Sequence, residues 1–265
     1  MSYQNELALA IEAAKEAGEI ARHYQALDFD VEYKPEAGNS PVTEADMAID
    51  RFLKEYFAEN TPGFGWLSEE TEDSPERLKK EDVWVVDPID GTKSFVQKNG
   101  MFVISIGLVA NGKPVLGVVY NPMRDELYSA VAGGGLHING QPTRQQRVDK
   151  LEEALCLISL TETKQGLWQP YEGQFKMKPV GSVAYKLALV AAAKADFTAS
   201  LKPKNEWDLA AGQLLCMEAG LKMTDLTGEP ITYNNRQTSI NGLICAPAAY
   251  FDAVFQQLPK HAKGY

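Results

Sequence analysis

Val83-Trp84-Val85-Val86-Asp87-Pro88-Ile89-Asp90-Gly91-Thr92 is the stretch on which the reading of this chain turns. Val83 to Val86 is a short apolar, β-branched run of the kind that forms a buried strand, which sets Asp87 at its C-terminal end. In α/β architectures such strand ends are where sites form. Pro88 lacks an N–H and fixes φ, so the strand is expected to stop there. Asp90-Gly91-Thr92 is then expected to open a helix or tight turn whose free backbone N–H groups suit a phosphate. Asp87, the Ile89 carbonyl and Asp90 supply oxygen ligands of the kind that Mg²⁺ takes. An Asp-Pro turn followed by ordinary Asp-Gly turn chemistry is the alternative reading of the same residues.

The surrounding composition is that of a soluble globular enzyme. A chain of 265 residues, 45% hydrophobic and 23% charged, can form one large core or two closely joined halves. No apolar run is long enough to span a bilayer, and Glu6, Glu12, Lys15, Glu16 and Glu19 occupy the segment where a signal peptide would be apolar. Cys156, Cys216 and Cys245 are odd in number, far apart and set in apolar surroundings. They read as buried thiols in a reducing compartment, so a cytoplasmic location is expected. The net charge of -10 argues against long nucleic acid as a partner, because that affinity comes from Lys and Arg neutralising phosphates. A small anionic substrate remains compatible if metal ions supply the positive charge.

Leu7, Ile11, Ala14, Ala17, Ala21 and Tyr24 recur at helical spacing and predict a first amphipathic helix. Asn39-Ser40-Pro41 breaks the chain, and Thr43 begins a second helix with Phe52, Leu53, Tyr56 and Phe57 on its core side, ended by Thr61-Pro62-Gly63. From Phe64 to Gly140 the pattern is strand-like, with Asn111-Gly112 marking a hairpin. After Arg147, strands and helices alternate. The expectation is an antiparallel-rich α+β half over residues 1–147, carrying most candidate metal ligands. An α/β half over 148–265 follows, carrying Asp208 and substrate-facing residues.

Two further motifs join the first. Leu67-Ser68-Glu69-Glu70 ends a predicted strand in an acidic pair, and Trp207-Asp208-Leu209-Ala210-Ala211-Gly212 opens a helix with an acid in its first turn. Taken singly, Glu69 and Glu70 read as loop charges, Asp208 as an acid stabilised by the helix dipole, and Thr43-Glu44-Ala45-Asp46 as a relative of the capping box. Taken together, in this order and at these separations, the motifs resemble the inositol monophosphatase superfamily of Mg²⁺-dependent, Li⁺-sensitive phosphomonoesterases, over Lys34 to Gly220.

The resemblance implies a layered αβαβα sandwich of mixed α+β and α/β character. It implies that Glu69, Asp87 and the Ile89 carbonyl hold one Mg²⁺, that Asp87, Asp90 and Asp208 hold a second, and that Glu69 contributes to a weaker third. Thr92, hydrogen-bonded to Asp46, would join Glu69 in orienting the attacking water, and the Gly91 and Thr92 N–H groups would hold the phosphate. Family members occur as monomers and as homodimers. His23, His137 and His261 match no motif.

The substrate is set by loops around this shared core. Lys34 to Asp46, Asp90 to Lys93 with Phe95, Asn99-Gly100 and Phe102, and Gly112 to Tyr120 resemble 3'(2'),5'-bisphosphate nucleotidases, which remove the 3'-phosphate of 3'-phosphoadenosine 5'-phosphate, a product of sulfate assimilation. Inositol monophosphatases place a Glu that grips inositol hydroxyls seven residues before the Asp of the Trp-Asp motif, and here that position is Leu201. A polyol site without its acceptor leaves hydroxyls unpaired. Lys202 and Lys204 precede Asp208, and Lys93 follows the phosphate turn; they read as cations for a second phosphate or as solvated loop charges. Gly181-Ser182 matches the family's substrate-facing loop, or caps the helix after it. Inositol 1-phosphate is the alternative substrate, with histidinol phosphate, suggested by Lys93-Ser94-Phe95, behind it. The non-enzymatic alternative is a binding partner of the transcription machinery, a role some superfamily members have.

Overall fold

The computed structural model describes residues 3–27, 31–34, 40–143 and 150–258, with the backbone alone over 31–34 and 40–42. The expected half boundary at residue 147, and His261, lie outside the described residues. The first helix, α1, spans Gln4–Gln25, and a two-stranded ribbon of β1 (Val31–Lys34) and β2 (Ser40–Thr43) leads into α2 (Glu44–Asn60). Next come β3 (Gly65–Ser68), β4 (Asp82–Asp90), the single-turn α3 (Thr92–Val96), β5 (Val103–Ala110), β6 (Lys113–Asn121), β7 (Glu126–Val131), β8 (Leu136–Ile138) and β9 (Gln141–Pro142). The remainder carries β10 (Leu155–Ser159), α4 (Leu160–Lys164), β11 (Lys176–Val180), α5 (Val183–Ala191), β12 (Phe197–Ser200), β13 (Lys204–Asn205), α6 (Glu206–Glu218), β14 (Leu221–Thr224), β15 (Ser239–Ile240), β16 (Leu243–Pro247) and α7 (Phe251–Gln257). Among the described residues no helix is long and apolar enough to cross a membrane.

Strands β3 to β9 form a seven-stranded sheet in sequence order, antiparallel except for the β3–β4 pair. Both of its faces are buried, and the period-two alternation of strand side chains divides them. Trp84, Val86, Ile104, Ile106 and Val118 face α1 and α2, whereas Val83, Val85, Val103 and Val119 face α5 and α6. A five-stranded sheet, ordered β11-β10-β12-β16-β14, receives the other side of α5 and α6 through Leu157, Met223, Leu243 and Cys245. Its outer face, with Cys156, Ile158, Phe197 and Ile244, packs on Phe251 and Val254 of α7. The stack is therefore helix, sheet, helix, sheet, helix, the αβαβα sandwich that the motifs implied.

Three details differ from the sequence expectation. The core side of α1 is built mainly from alanines, Ala10, Ala13, Ala14, Ala17 and Ala21, while Leu7 and Ile11 pack at its margin. Small side chains let the helix lie close to the sheet. Strands β11 and β14 do not stand out in sequence, because Lys176-Met177-Lys178 and Lys222 give edge strands mixed polarity. Finally, Pro88 does not end its strand. Pairing with β5 slips between Asp87, opposite Ser105, and Asp90, opposite Val103, so Pro88 sits in a bulge where no ladder N–H is required of it. The bulge re-aims the chain between two acids of the site.

Helix α6 is seated unusually deep. A Cβ at Gly117 of β6 would stand 2.4 Å from the Ala211 carbonyl oxygen, so only glycine permits this approach of helix to sheet. The seating carries the first turn of α6, with Asp208, up to the ends of β3 and β4.

Candidate active site

The three acidic motifs meet at one end of the seven-stranded sheet. Glu69 follows the end of β3 and is held to β4 by its N–H donating to the Val86 carbonyl at 3.3 Å. Asp87 projects from the bulge of β4 and is buried, and Asp208 lies in the first turn of α6. Carboxylate oxygens of these three residues all lie within 4.8 Å of one another. Asp87 Oδ1 accepts from the Ile89 N–H at 3.1 Å, and Asp208 Oδ2 accepts from the Asn205 N–H at 2.8 Å in a capping box. Asp208 thus caps its own helix through Oδ2, a contact beyond the dipole stabilisation read from the sequence.

Asp90 lines the same pocket but stands apart from the tight group of three. Its Oδ2 accepts from the Ser182 hydroxyl at 2.6 Å and from the Ala184 N–H at the start of α5. Ser182 holds φ at +54° while capping α5 through the Tyr185 N–H at 2.9 Å. A non-glycine residue at positive φ stores strain, and here both contacts of its hydroxyl hold it in place. Gly91 links β4 to α3 at φ +98°, and a Cβ there would meet the Met101 carbonyl oxygen at 2.9 Å. That turn lets Gly91, Thr92 and Lys93 line the pocket.

Thr92 Oγ1 lies 3.4 Å from Asp46 Oδ1 and 3.2 Å from the Ile89 carbonyl oxygen. Asp46 is buried, with Oδ2 accepting from the Thr43 N–H at 2.8 Å and from the Thr43 hydroxyl. The capping box of α2 thereby fixes the carboxylate that faces Thr92.

The electrostatics suit a hard cation. Burial first, then the charges of Glu69, Asp90, Asp208 and Asp46, push the Asp87 carboxyl well above the usual carboxylate range. Burial and Asp208 push Asp90 up to about 6 against the hydrogen bonds from Ser182 and Ala184, and burial raises Asp208 against the pull of Lys204. Two carboxylate charges 4.8 Å apart repel by about 3 kcal/mol at an effective dielectric constant near 20. An all-oxygen donor set that repels itself fits Mg²⁺. Glu69, Asp87 and Asp208 would hold it, with Asp90 lining the same cavity.

The same cavity, about 450 Å³ in volume, is also lined by lysines. Lys202 and Lys204 are among them, and so is Lys186 of α5, which the sequence reading did not single out. Lys186 is 1% exposed, and its ammonium has no hydrogen-bond or ion-pair partner among the described residues. Burial holds its pKa down to about 8. The available signal was a single charge inside the apolar run Val183–Ala191, one turn after Ser182. Glu162 lines the cavity with these lysines and is buried, accepting from Trp168 Nε1 at 3.0 Å and from the Leu201 and Lys202 N–H groups, with Lys204 Nζ 3.9 Å away. Leu201 packs into the core with Cys156, Ile158 and Phe197 and does not reach the cavity. Gly181 and Ser182 do line it, whereas the side chain of Lys34 lies outside the described residues.

Comparison with known proteins gives a consistent set of relatives. Residues 2–261 match the family described as the inositol monophosphatase family. The chain is similar to the 3'(2'),5'-bisphosphate nucleotidase CysQ of Escherichia coli O6:H1, at 36% identity over 210 residues covering 77% of this chain and 84% of that protein. It is also similar to inositol monophosphatase 2 of Solanum lycopersicum, at 34% identity over 243 residues covering 87% and 91% of the two chains. Among solved structures, the extragenic suppressor protein suhB of Bartonella henselae matches with a TM-score of 0.83 and 27% identity, over 99% of this chain and 100% of that one.

Proposed function

This chain belongs to the inositol monophosphatase family and is a phosphatase, and we propose that its substrate is a nucleotide bisphosphate, 3'-phosphoadenosine 5'-phosphate, cleaved to AMP and phosphate with Mg²⁺. The observation that carries this reading is Lys186, a buried lysine that makes no hydrogen bond or ion pair among the described residues and feels only the charges of Glu162 and Asp90 as counter-charges, on a cavity lining shared with Lys202 and Lys204. A buried ammonium without a close ion pair is costly, and a ligand of opposite charge offsets that cost. A substrate with a second phosphate does so. A neutral polyol does not, and Leu201, turned into the core, offers it no acceptor. The similarity to inositol monophosphatase 2 of Solanum lycopersicum keeps inositol 1-phosphate as the second reading.

The chemistry follows from the placement of the side chains. Mg²⁺ bound by the carboxylates supplies charge neutralisation of the phosphoryl oxygens and activation of water. Asp46 Oδ1 accepts the Thr92 hydroxyl proton, which leaves a Thr92 Oγ1 lone pair to receive a proton from the attacking water. Glu69, across the pocket, orients the same water. Gly91 and Thr92 offer N–H donors to the phosphate being removed, while Lys186, Lys202 and Lys204 hold the phosphate that stays.

The test is phosphate release from 3'-phosphoadenosine 5'-phosphate, inositol 1-phosphate and histidinol phosphate with Mg²⁺. A preference for the nucleotide of about tenfold or more in kcat/KM, roughly 1.4 kcal/mol in transition-state binding, is expected. Equal or better turnover of inositol 1-phosphate overturns the substrate assignment.

A further inference from the structure

Asp50 stands one helical turn after Asp46 on α2, buried, and none of the roles above uses it. Its two carboxylate oxygens are spent on two different partners. Oδ1 accepts from the Ser68 hydroxyl and Oδ2 from the Thr71 hydroxyl. Ser68 and Thr71 flank Glu69 and Glu70, so one carboxylate ties down both ends of the acidic loop. Thr71 Oγ1 also accepts from Trp66 Nε1 at 3.3 Å, which anchors the far end to β3 a second time. Asp50 has no ion-pair partner among the described residues. Leaving a carboxylate buried without a cation is an expensive way to brace a surface loop, and it is understandable if the loop's geometry matters beyond stability.

We propose that Asp50 is a positioning residue for Glu69, setting the affinity for a divalent cation without touching it. The inference rests on Glu69 being a metal ligand. Glu69 belongs to a rim shared with Asp87, in the bulge of β4, and Asp208, on the deeply seated α6. Those two are carried by rigid elements, whereas Glu69 sits on the loop after a four-residue strand. Its backbone is fixed by the hydrogen bond to Val86 on one side and by the Asp50 clamp on the other. Without the clamp the Glu69 carboxylate samples orientations that do not meet Asp87 and Asp208. Partners of this kind, one shell beyond the ligands, typically carry a 10- to 100-fold effect on metal affinity.

The experiment is calorimetric titration of Mg²⁺ into chelator-treated protein, comparing wild type, Asp50→Asn and Thr71→Val, with circular dichroism to establish that each is folded. Asp50→Asn is expected to weaken Mg²⁺ binding by about 10- to 100-fold, and Thr71→Val, which removes one anchor and keeps the carboxylate, by a smaller factor. Activity of both should recover towards the wild-type level as Mg²⁺ is raised, a split that a general loss of structure does not produce. Should Asp50→Asn fail to fold, Thr71→Val and Ser68→Ala carry the same comparison. Equal Mg²⁺ affinity in wild type and the folded variants overturns the inference. Absence of Mg²⁺ binding by the wild type instead overturns the reading of Glu69 as a ligand, so the two failures are distinguishable.

Discussion

Lys186→Met should move stability and substrate binding in opposite directions. In the ligand-free protein the Lys186 ammonium is buried, and its pKa falls from 10.5 to about 8. At about 1.4 kcal/mol for each tenfold change in the proton equilibrium, the charged form costs the fold roughly 3 kcal/mol at neutral pH. The folded pKa lies below the unfolded one. This cost is therefore complete below pH 8 and disappears as pH rises to about 10.5, the window over which the unfolded chain holds the proton more tightly. Methionine matches the lysine stem in length and carries no charge. A gain of up to roughly 3 kcal/mol raises Tm on the order of 5–10 °C in a chain of this size. The same change removes a charge-assisted contact to the second phosphate, about 1.5–3 kcal/mol, so kcat/KM for 3'-phosphoadenosine 5'-phosphate should drop about 10- to 150-fold. Thermal unfolding of ligand-free protein at pH 7, paired with steady-state kinetics, reads both. A variant less stable than wild type, with unchanged kinetics on the nucleotide, refutes the argument that this ammonium is held ready for an anion.

Two further outcomes follow from the acidic residues of the cavity. In metal-free protein Asp90 has a folded pKa of about 6 against 3.8 unfolded, so its contribution to stability is greatest below about pH 4 and is lost as pH rises through 6, by about 3 kcal/mol. Thermal scans from pH 4 to 8 should show that decline without Mg²⁺ and a smaller one with it, and identical curves would argue against a cation among these carboxylates. Ser182→Ala keeps the φ of +54° while removing the hydroxyl from Asp90 and from the Tyr185 N–H, so urea denaturation should report a loss of about 1–3 kcal/mol. Ser182→Gly, which relieves the backbone strain, should lose less, and the reverse order would remove the case for strain at this position.

Much of this architecture could be read from the chain because the decisive residues are local. Glu69, Asp87, Asp90 and Asp208 each sit at a strand end or helix start, and each such position announces itself by a change of hydrophobic pattern. The αβαβα layering came from motif resemblance, since alternation alone does not say which face of a sheet a helix covers. What could not be read is what depends on side chains meeting across the fold. Pro88 looked like a stop because the proline rule is local, whereas the tolerance of a bulge depends on β5 beside it. Lys186 drew no reading from the sequence, because its burial comes only from the packing of α5 between two sheets. Asp50 and Glu162 carried no signal in the sequence, and only the approach of Ser68, Thr71, Trp168 and the Leu201–Lys202 backbone shows that each is enclosed.

The carboxylates and lysines of the cavity also constrain the order of events. If the substrate is the proposed bisphosphate, Glu69, Asp87, Asp90 and Asp208 repel the phosphate brought to Gly91 and Thr92, while Lys186, Lys202 and Lys204 attract its second phosphate. With the carboxylates bare, a bisphosphate is drawn to the lysines and rejected by the rim where it must react. A cation on the rim reverses the sign of that rejection, so metal and substrate favour each other's binding. Linkage requires that favour to be reciprocal: whatever factor Mg²⁺ adds to the affinity for the bisphosphate, the bisphosphate adds to the affinity for Mg²⁺. A monophosphate of a neutral alcohol feels the same rejection without the compensating pull. On the proposed reading the pocket discriminates by charge, with selectivity between substrates resting on its lysines and the requirement for metal on its carboxylates.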